Sequence, residues 1–348
     1  MHLPASERPA PVAVVPDTMV TAPQGALRQR EEPVAMRFGL QISDFAWDGG
    51  PAAMGAHLEA IARAAEEAGF SSLWVMDHFR QIPQIGPEWH DMPESYTTLS
   101  FLAGVTERIA LGTLVTGITY RHPALLGRMI ATLDVLSGGR AVCGLGLGWF
   151  EKEAAAYGWD MPPRAERYAL LEDTVELLRL LWGPGAPRFE GRLLTVPEAM
   201  CYPRPLQERV PILIGGGGEQ RTLRLVARHA DMCNLFGDAA AVRHKLAVLR
   251  RHCEAEGRDP AGIEVSHLSQ VMIAGDRAAL AEQLARVAGR DRSVEQAAAA
   301  LGAGTVEDHI GRLRDLADAG VQHAIVSLHD VASLSPIHRF GQVIAAFA

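Results

Sequence analysis

The chain has 348 residues, 48% hydrophobic and 21% charged, with a formal net charge of −8. That length builds one large domain or two small ones, and the composition is that of a globular protein able to bury a sizeable core. The acidic balance offers no global basic field for nucleic acid or an anionic membrane, and no apolar run reaches the roughly 18 residues of a membrane span.

Six prolines, Pro4, Pro9, Pro11, Pro16, Pro23 and Pro33, leave little room for a regular element at the start of the chain. The apolar stretch from Val12 to Val15 is bounded by Pro16 and Asp17, a poor match to a secretory signal. Residues 1–35 are therefore expected to be a disordered extension, with one folded domain over residues 36–348.

Beyond Met36, β-branched runs alternate with helical patterns. Arg37 to Ser43 reads as a strand, Gly55 to Gly69 as a helix and Leu73 to Met76 as a second strand. A helix over Tyr96 to Val105, a strand over Ile109 to Ile118 and a helix over Pro123 to Leu136 follow, the last stopped by Gly138-Gly139. Ala141 to Leu147 is the fourth strand and Ala165 to Trp182 its helix. Phe189 to Leu206, with a turn at Gly191, is expected to form a hairpin excursion. Pro211 to Ile214 and Met232 to Phe236 read as strands, followed by helices over Gln220 to Ala230 and Ala240 to Ala255. Val265 to Ala274 is the seventh strand, and an Ala-rich helical region runs from Arg277 to Leu301, which either covers the site or, on the plainer reading, packs on the barrel. A helix over Val306 to Ala319, a strand over Ala324 to Leu328 and a helix over Ile337 to Phe347 close the chain. Such alternation specifies a parallel sheet, and regular βα units favour an α/β fold closed as a (β/α)8 TIM barrel with insertions over a doubly wound open sheet.

Barrel active sites sit at the carboxyl ends of the strands, so chemistry is sought just after each one. The run Gly215-Gly216-Gly217-Gly218 joins a buried strand to a helix, where bare N–H groups and the helix start favour a phosphate. Gln220, Arg221 and Thr222 stand ready to add side-chain donors. A plain flexible turn is the competing reading, but it needs one glycine rather than four. Gly144-Leu145-Gly146-Leu147-Gly148 has G-x-G-x-G spacing and not the dinucleotide fingerprint, so its glycines are read as sterically permissive of a flat ring at the barrel mouth. His78 ends the second strand as a candidate proton-exchange residue, with Asp77 beside it to fix its tautomer or bond a cofactor. Glu151 and Glu153 read as an exposed helix start. Arg121 and His122 follow the third strand as a plausible polar contact. Cys143, Cys201, Cys233 and Cys253 form no C-x-x-C pair, and the histidines show no H-E-x-x-H spacing. Neither a disulfide framework nor a metal site is expected, and the thiols fit a cytoplasmic protein.

Trp74 to Phe79 (WVMDHF), Leu111 to Thr119 (LGTLVTGIT), Leu133 to Arg140 (LDVLSGGR) and Gly144 to Trp149 (GLGLGW) resemble motifs of the luciferase-like flavin superfamily. So do Ala156 to Gly158 (AYG), Ile212 to Gly218 (ILIGGGG) and Ala227 to Asp231 (ARHAD). The ordered set spans most of residues 36–345 and looks most like the F420-dependent branch. The resemblance implies a TIM barrel with a cofactor ring at its mouth, contacted by Asp77, His78, Thr116, Gly117, Ile118, Gly148 and Trp149. It implies a cofactor phosphate near Gly215–Gly218 and Gln220, and a non-proline cis peptide at Gly117-Ile118 behind the ring. The activity implied is hydride transfer between the deazaflavin F420 and a small organic substrate, with His78 as acid or base. The rivals are an FMN-dependent monooxygenase on the same barrel and a non-catalytic flavin-binding protein. The Trp149 to Lys152 stretch departs from dehydrogenases of the branch that use a Glu and an Asn there, which puts their sugar-phosphate substrate in doubt. A homodimer is implied by the superfamily.

Overall fold

A computed structural model describes residues 36–288 and 293–348. The expected extension at 1–35 and part of the expected Arg277 to Leu301 helix lie outside the described residues.

Eight parallel strands close into a barrel in chain order: β1 (Arg37–Ile42), β2 (Ser72–Val75), β3 (Ala110–Thr113), β4 (Ala141–Gly146), β5 (Ile212–Gly215), β6 (Met232–Leu235), β7 (Glu264–Val271) and β8 (His323–Leu328). Closure is made by β8 against β1, with Arg37 opposite His323 and Leu40 opposite Val326. Helices α1 (Met54–Glu67), α2 (Ser95–Val105), α3 (Pro123–Ser137), α4 (Glu151–Ala156), α5 (Arg164–Leu181), α6 (Thr222–His229) and α7 (Ala239–Glu256) follow the first six strands. Then α8 (Arg277–Ala288), α9 (Val294–Ala300) and α10 (Val306–Asp318) follow β7, and α11 (Ser335–Ala345) follows β8. Among the described residues no helix is long and apolar enough to cross a membrane.

The period-two pattern of the strands divides two cores. Outward residues such as Leu40, Ile42, Leu73, Cys143, Ile212, Cys233 and Val326 pack under the helices. Inward residues Trp74, Leu114, Leu213, Met232 and Ile325 fill the barrel, so it is a packed plug and not a pore. Below that layer, buried His323 bonds Glu264 through Nδ1 at 2.8 Å and Ser72 through Nε2 at 2.8 Å, and Trp74 donates to the same hydroxyl.

Two expected strands are interrupted. Residues Ile109 to Ile118 do not run straight: β3 ends at Thr113, the Leu114–Val115 bond is cis, and only Thr116–Gly117 rejoin β4. Val265 to Ala274 breaks at Met272, after which Ile273–Ala274 pair with Gly304–Thr305. The Phe189 to Leu206 excursion holds the expected hairpin, Phe189–Glu190 against Thr195–Val196.

The bulge after β3 explains the glycines of β4. A Cβ on Gly144 would stand 1.9 Å from the Thr113 carbonyl oxygen, and one on Gly146 would stand 2.5 Å from Val115 Cγ2. These two glycines make room for neighbouring chain, not directly for a ring, which corrects the sequence reading. Gly144→Ala is expected to cost at least about 3 kcal/mol in urea denaturation, because backbone must move. Gly104→Ala, in α2 with nothing near its added methyl, is expected to gain about 0.5–1 kcal/mol.

Candidate functional site

The carboxyl ends of the strands surround a cavity of about 660 Å³. Its floor is made by inward residues of the top barrel layer, among them Gln41, Met76, Leu114, Asn234, Leu268 and Gln270. Gln41 is fixed by donating to the Leu114 carbonyl at 3.1 Å.

One end of the cavity suits an anion. All four glycines of Gly215–Gly218 line it, with Thr222, Arg164, Arg167 and Tyr168. Gly216 adopts φ +114°, a conformation natural to glycine, and its N–H is used on the Asn234 carbonyl. The N–H groups of Gly217 and Gly218 have no protein acceptor among the described residues. Tyr168 bonds Thr222 Oγ1 at 2.9 Å, holding that hydroxyl at the start of α6. Arg167 donates from Nη1 to the Gly148 carbonyl at 2.5 Å, while its Nε is buried without a partner. A buried orphan donor costs free energy unless a ligand meets it. Backbone donors, a helix start and two guanidiniums fit a phosphate monoester or diester.

At the other end stands His78. Its Nδ1 lies 3.0 Å from Glu153 Oε2. Glu153 is fully buried and also accepts from the Tyr120 hydroxyl at 2.5 Å and from the N–H groups of Phe79 and Arg80 at 2.8 and 3.2 Å. Burial opposes its ionisation, yet the bonds from His78, Tyr120 and Phe79 outweigh burial and hold its carboxyl below the usual range. Burial pushes the Tyr120 hydroxyl up, and the Glu153 charge adds to this, so the phenol stays a neutral donor. An ionised Glu153 fixes the His78 tautomer with the proton on Nδ1, leaving Nε2 as the nitrogen free to exchange a proton. Among the described residues Nε2 has no protein partner.

The expected site residues are only partly assembled. Asp77, His78, Gly117, Gly148 and Trp149 line the cavity. Asp77 is buried and held by Arg121 at 2.6 and 2.9 Å and by the Ser95 hydroxyl at 2.6 Å. Arg121 also reaches Glu94 at 2.5 Å, so its work is to neutralise carboxylates beneath the site. Thr116 is buried away from the cavity, bonding Tyr96 and Thr113 at 2.8 Å each, and Ile118 belongs to the outer core. The cis bond is Leu114–Val115, three residues before the expected Gly117-Ile118, and it is Leu114 and Val115 that line the cavity. Gln220 is exposed and off the lining because α6 begins at Thr222, which takes the inward position. Glu151 is exposed as expected, whereas Glu153, read as exposed, is the buried acceptor. Tyr120 and Arg167 were not singled out; both stand just beyond a strand or at the start of a helix facing the mouth.

A profile of the luciferase-like monooxygenase family matches residues 36–323. The chain belongs to that family. Among curated relatives, an F420-dependent glucose-6-phosphate dehydrogenase of Kineococcus radiotolerans is 34% identical over 216 residues, covering 60% of this chain and 61% of that one. One from Nakamurella multipartita is 36% identical over 203 residues, covering 57% and 56%. The chain thus spans about three fifths of the length of the first of these relatives. An F420-dependent secondary alcohol dehydrogenase in complex with an F420-acetone adduct superposes with TM-score 0.73 at 20% identity, covering 90% of this chain and 99% of that one. EDTA monooxygenase from Chelativorans sp. BNC1 gives 0.73 at 18%, covering 90% and 94%. At such identities the likeness shows the (β/α)8 fold.

The Glu153 network fixes a pH dependence. Its folded-state pKa lies below the ordinary value of 4.5, so its stabilisation is present above that value and is lost as pH falls through the lowered one. Glu153→Gln is expected to cost about 2 kcal/mol in urea denaturation at neutral pH, with the gap from the parent narrowing in acid. A gap that is constant with pH would refute the ionised assignment.

Proposed function

We propose that this protein is an F420-dependent oxidoreductase of the luciferase-like class, acting on a small organic substrate. The observation that carries the reading is the cavity with an anion-binding end at Gly215–Gly218 and a proton-exchanging histidine at the other. The named activity of the sequence relatives supports the deazaflavin over FMN.

The fit of the residues to a phosphorylated, ring-bearing cofactor is specific. Gly217 and Gly218 N–H groups, the Thr222 hydroxyl and the buried Arg167 Nε would hold its phosphate. Leu114, Val115 and Gly117 would back the ring, and Asp77, His78, Gly148 and Trp149 would border it. When bound, the deazaflavin supplies a hydride-accepting or hydride-donating carbon, C5. The chain orients the reactants and excludes water, and Nε2 of His78 takes or gives the substrate's proton while Glu153 steadies the resulting charge.

Fluorescence titration with F420 and FMN side by side checks this. F420 is expected to bind at least about tenfold more tightly than FMN, and Arg167→Met to weaken it by roughly tenfold to a hundredfold. Tighter FMN binding with oxygen consumption by the reduced complex would make the protein a flavin monooxygenase instead.

We further infer a cytoplasmic homodimer. The four cysteines are unpaired and buried, as suits a reducing compartment. Phe101 on α2 and Leu125 and Leu136 on α3 are 41%, 55% and 62% exposed, and the two leucines share one helix face. Light scattering is expected to give twice the chain mass of 37.5 kDa; a single-chain mass would overturn it.

A further inference from the structure

The cations around the site are distributed unevenly. Arg164 and Arg167 line the glycine end, and Lys245 approaches it from α7, its Cε 3.6 Å from where a Cβ on Gly217 would be. The His78 end has a different wall: Ile82, Ile85 and Leu268 with the amides of Gln84 and Gln270. Among the described residues no lysine or arginine lines that half.

Gln84, Ile85 and Gln270 also border a second cavity, again of about 660 Å³, over the ends of β1, β7 and β8. Its outer wall is the insertion after β7: Arg286 and Val287 of α8, and Ala300 and Leu301 at the end of α9. The insertion packs through its own small core of Leu280, Leu284 and Ala297 and at the same time shapes this chamber. The ionisable groups on its lining are Asp44, Asp330, Arg286 and the imidazole of His329, and the Arg286 guanidinium is already turned to Glu282 at 3.1 Å. His90 sits 3.2 Å from Asp44 and is its one ring partner. The charge balance of the chamber is therefore acidic.

We propose that the substrate is an uncharged alcohol or carbonyl compound with an apolar body, received through the second cavity, and that phosphorylated sugars are rejected. This rests on the oxidoreductase reading above. A sugar phosphate brings nearly two negative charges and needs guanidinium or ammonium groups to replace its water. Two carboxylates repel it instead, and the one arginine of the chamber is already paired with Glu282. A neutral hydroxyl needs only an acceptor, and His78 Nε2 is one. Its apolar body replaces water against Ile82, Ile85, Leu268 and Trp47. Oxidation of such an alcohol breaks its C–H and O–H bonds and forms C=O. The hydride goes to the deazaflavin, which is reduced by two electrons, and the hydroxyl proton goes to His78 Nε2.

The test uses the full chain loaded with F420. Cyclohexanol, 1-phenylethanol, acetophenone and glucose 6-phosphate are titrated against cofactor fluorescence, and cofactor bleaching is recorded with the three hydroxyl compounds. The neutral compounds are expected to bind at least about tenfold more tightly than glucose 6-phosphate, and one of the alcohols to bleach the cofactor. The double substitution Asp44→Asn with Asp330→Asn is expected to raise glucose 6-phosphate affinity by roughly tenfold and to leave F420 affinity unchanged. Equal or tighter binding of glucose 6-phosphate by the parent protein overturns the proposal, as does failure of every neutral compound to bind. F420 binding with a sugar-phosphate preference sinks this proposal alone. Failure to bind F420 sinks the functional reading and this inference with it.

Discussion

The Glu153 carboxylate is buried at the mouth of the barrel and accepts hydrogen bonds from two separate stretches of chain. It accepts from His78, Phe79 and Arg80 just after β2, from Tyr120 after the bulge of β3, and it is itself delivered by α4 after β4. A carboxylate removed from water must find acceptor bonds in the protein or give up its charge. Here the donors come from consecutive barrel strands, so satisfying one charge registers three strand-end loops against each other. The electrostatics of His78 and the geometry of the cavity wall follow from that requirement. The neighbouring Asp77 follows the same logic, with Arg121 and Ser95 meeting its oxygens from the other side. Adjacent residues of a strand point apart, and the two carboxylate systems, one on each side of the strand end, leave His78 as the polar group that faces the opening.

The second organising constraint is steric. A bulge in one barrel strand pushes main chain and a side chain toward its neighbour, and only residues without Cβ accept it. Gly144 and Gly146 are spaced by two, so both face inward on β4, where Thr113 and Val115 arrive. Gly215 of β5 meets Val115 from the far side, a Cβ there lying 3.0 Å from Val115 Cγ1. The glycines of β4 and the first glycine of the anion-binding run therefore share a task, receiving the bulge. The later glycines of that run are free to face a ligand.

This division accounts for what the sequence disclosed. Strand and helix periods follow from which face is buried, and a barrel imposes that choice on every element, so the strands and most helices were legible. The bulge was placed three residues late because Thr113, Thr116 and Gly117 look alike as strand-end residues. The facing Gly144 and Gly146 carried the information, two glycines at period two opposite the strand that must bend. Glu153 was missed for a related reason. Glu151 and Glu153, two apart on a helix, are about 200° apart around its axis, so one can be buried while the other meets water. Spacing says that they differ but not which is inside. Gln220 failed on a helix start two residues later than expected, which changes the side chain facing the cavity and nothing in the local pattern.

The separation of charge along the mouth is the last step. Cations gather where β5 leads into α6, beside the N–H groups of a helix start, and reinforce a field the backbone already makes. Carboxylates near β1 and β8 lie on the far side of His78. An anionic cofactor tail and a second anionic ligand would compete for the same small set of guanidiniums if both ends were basic. Concentrating the positive field at one end would give an anionic cofactor a single orientation and hold its tail away from the chamber beyond His78. The same arrangement that would position one ligand thus constrains the charge of the other, and it does so through residues on different strands.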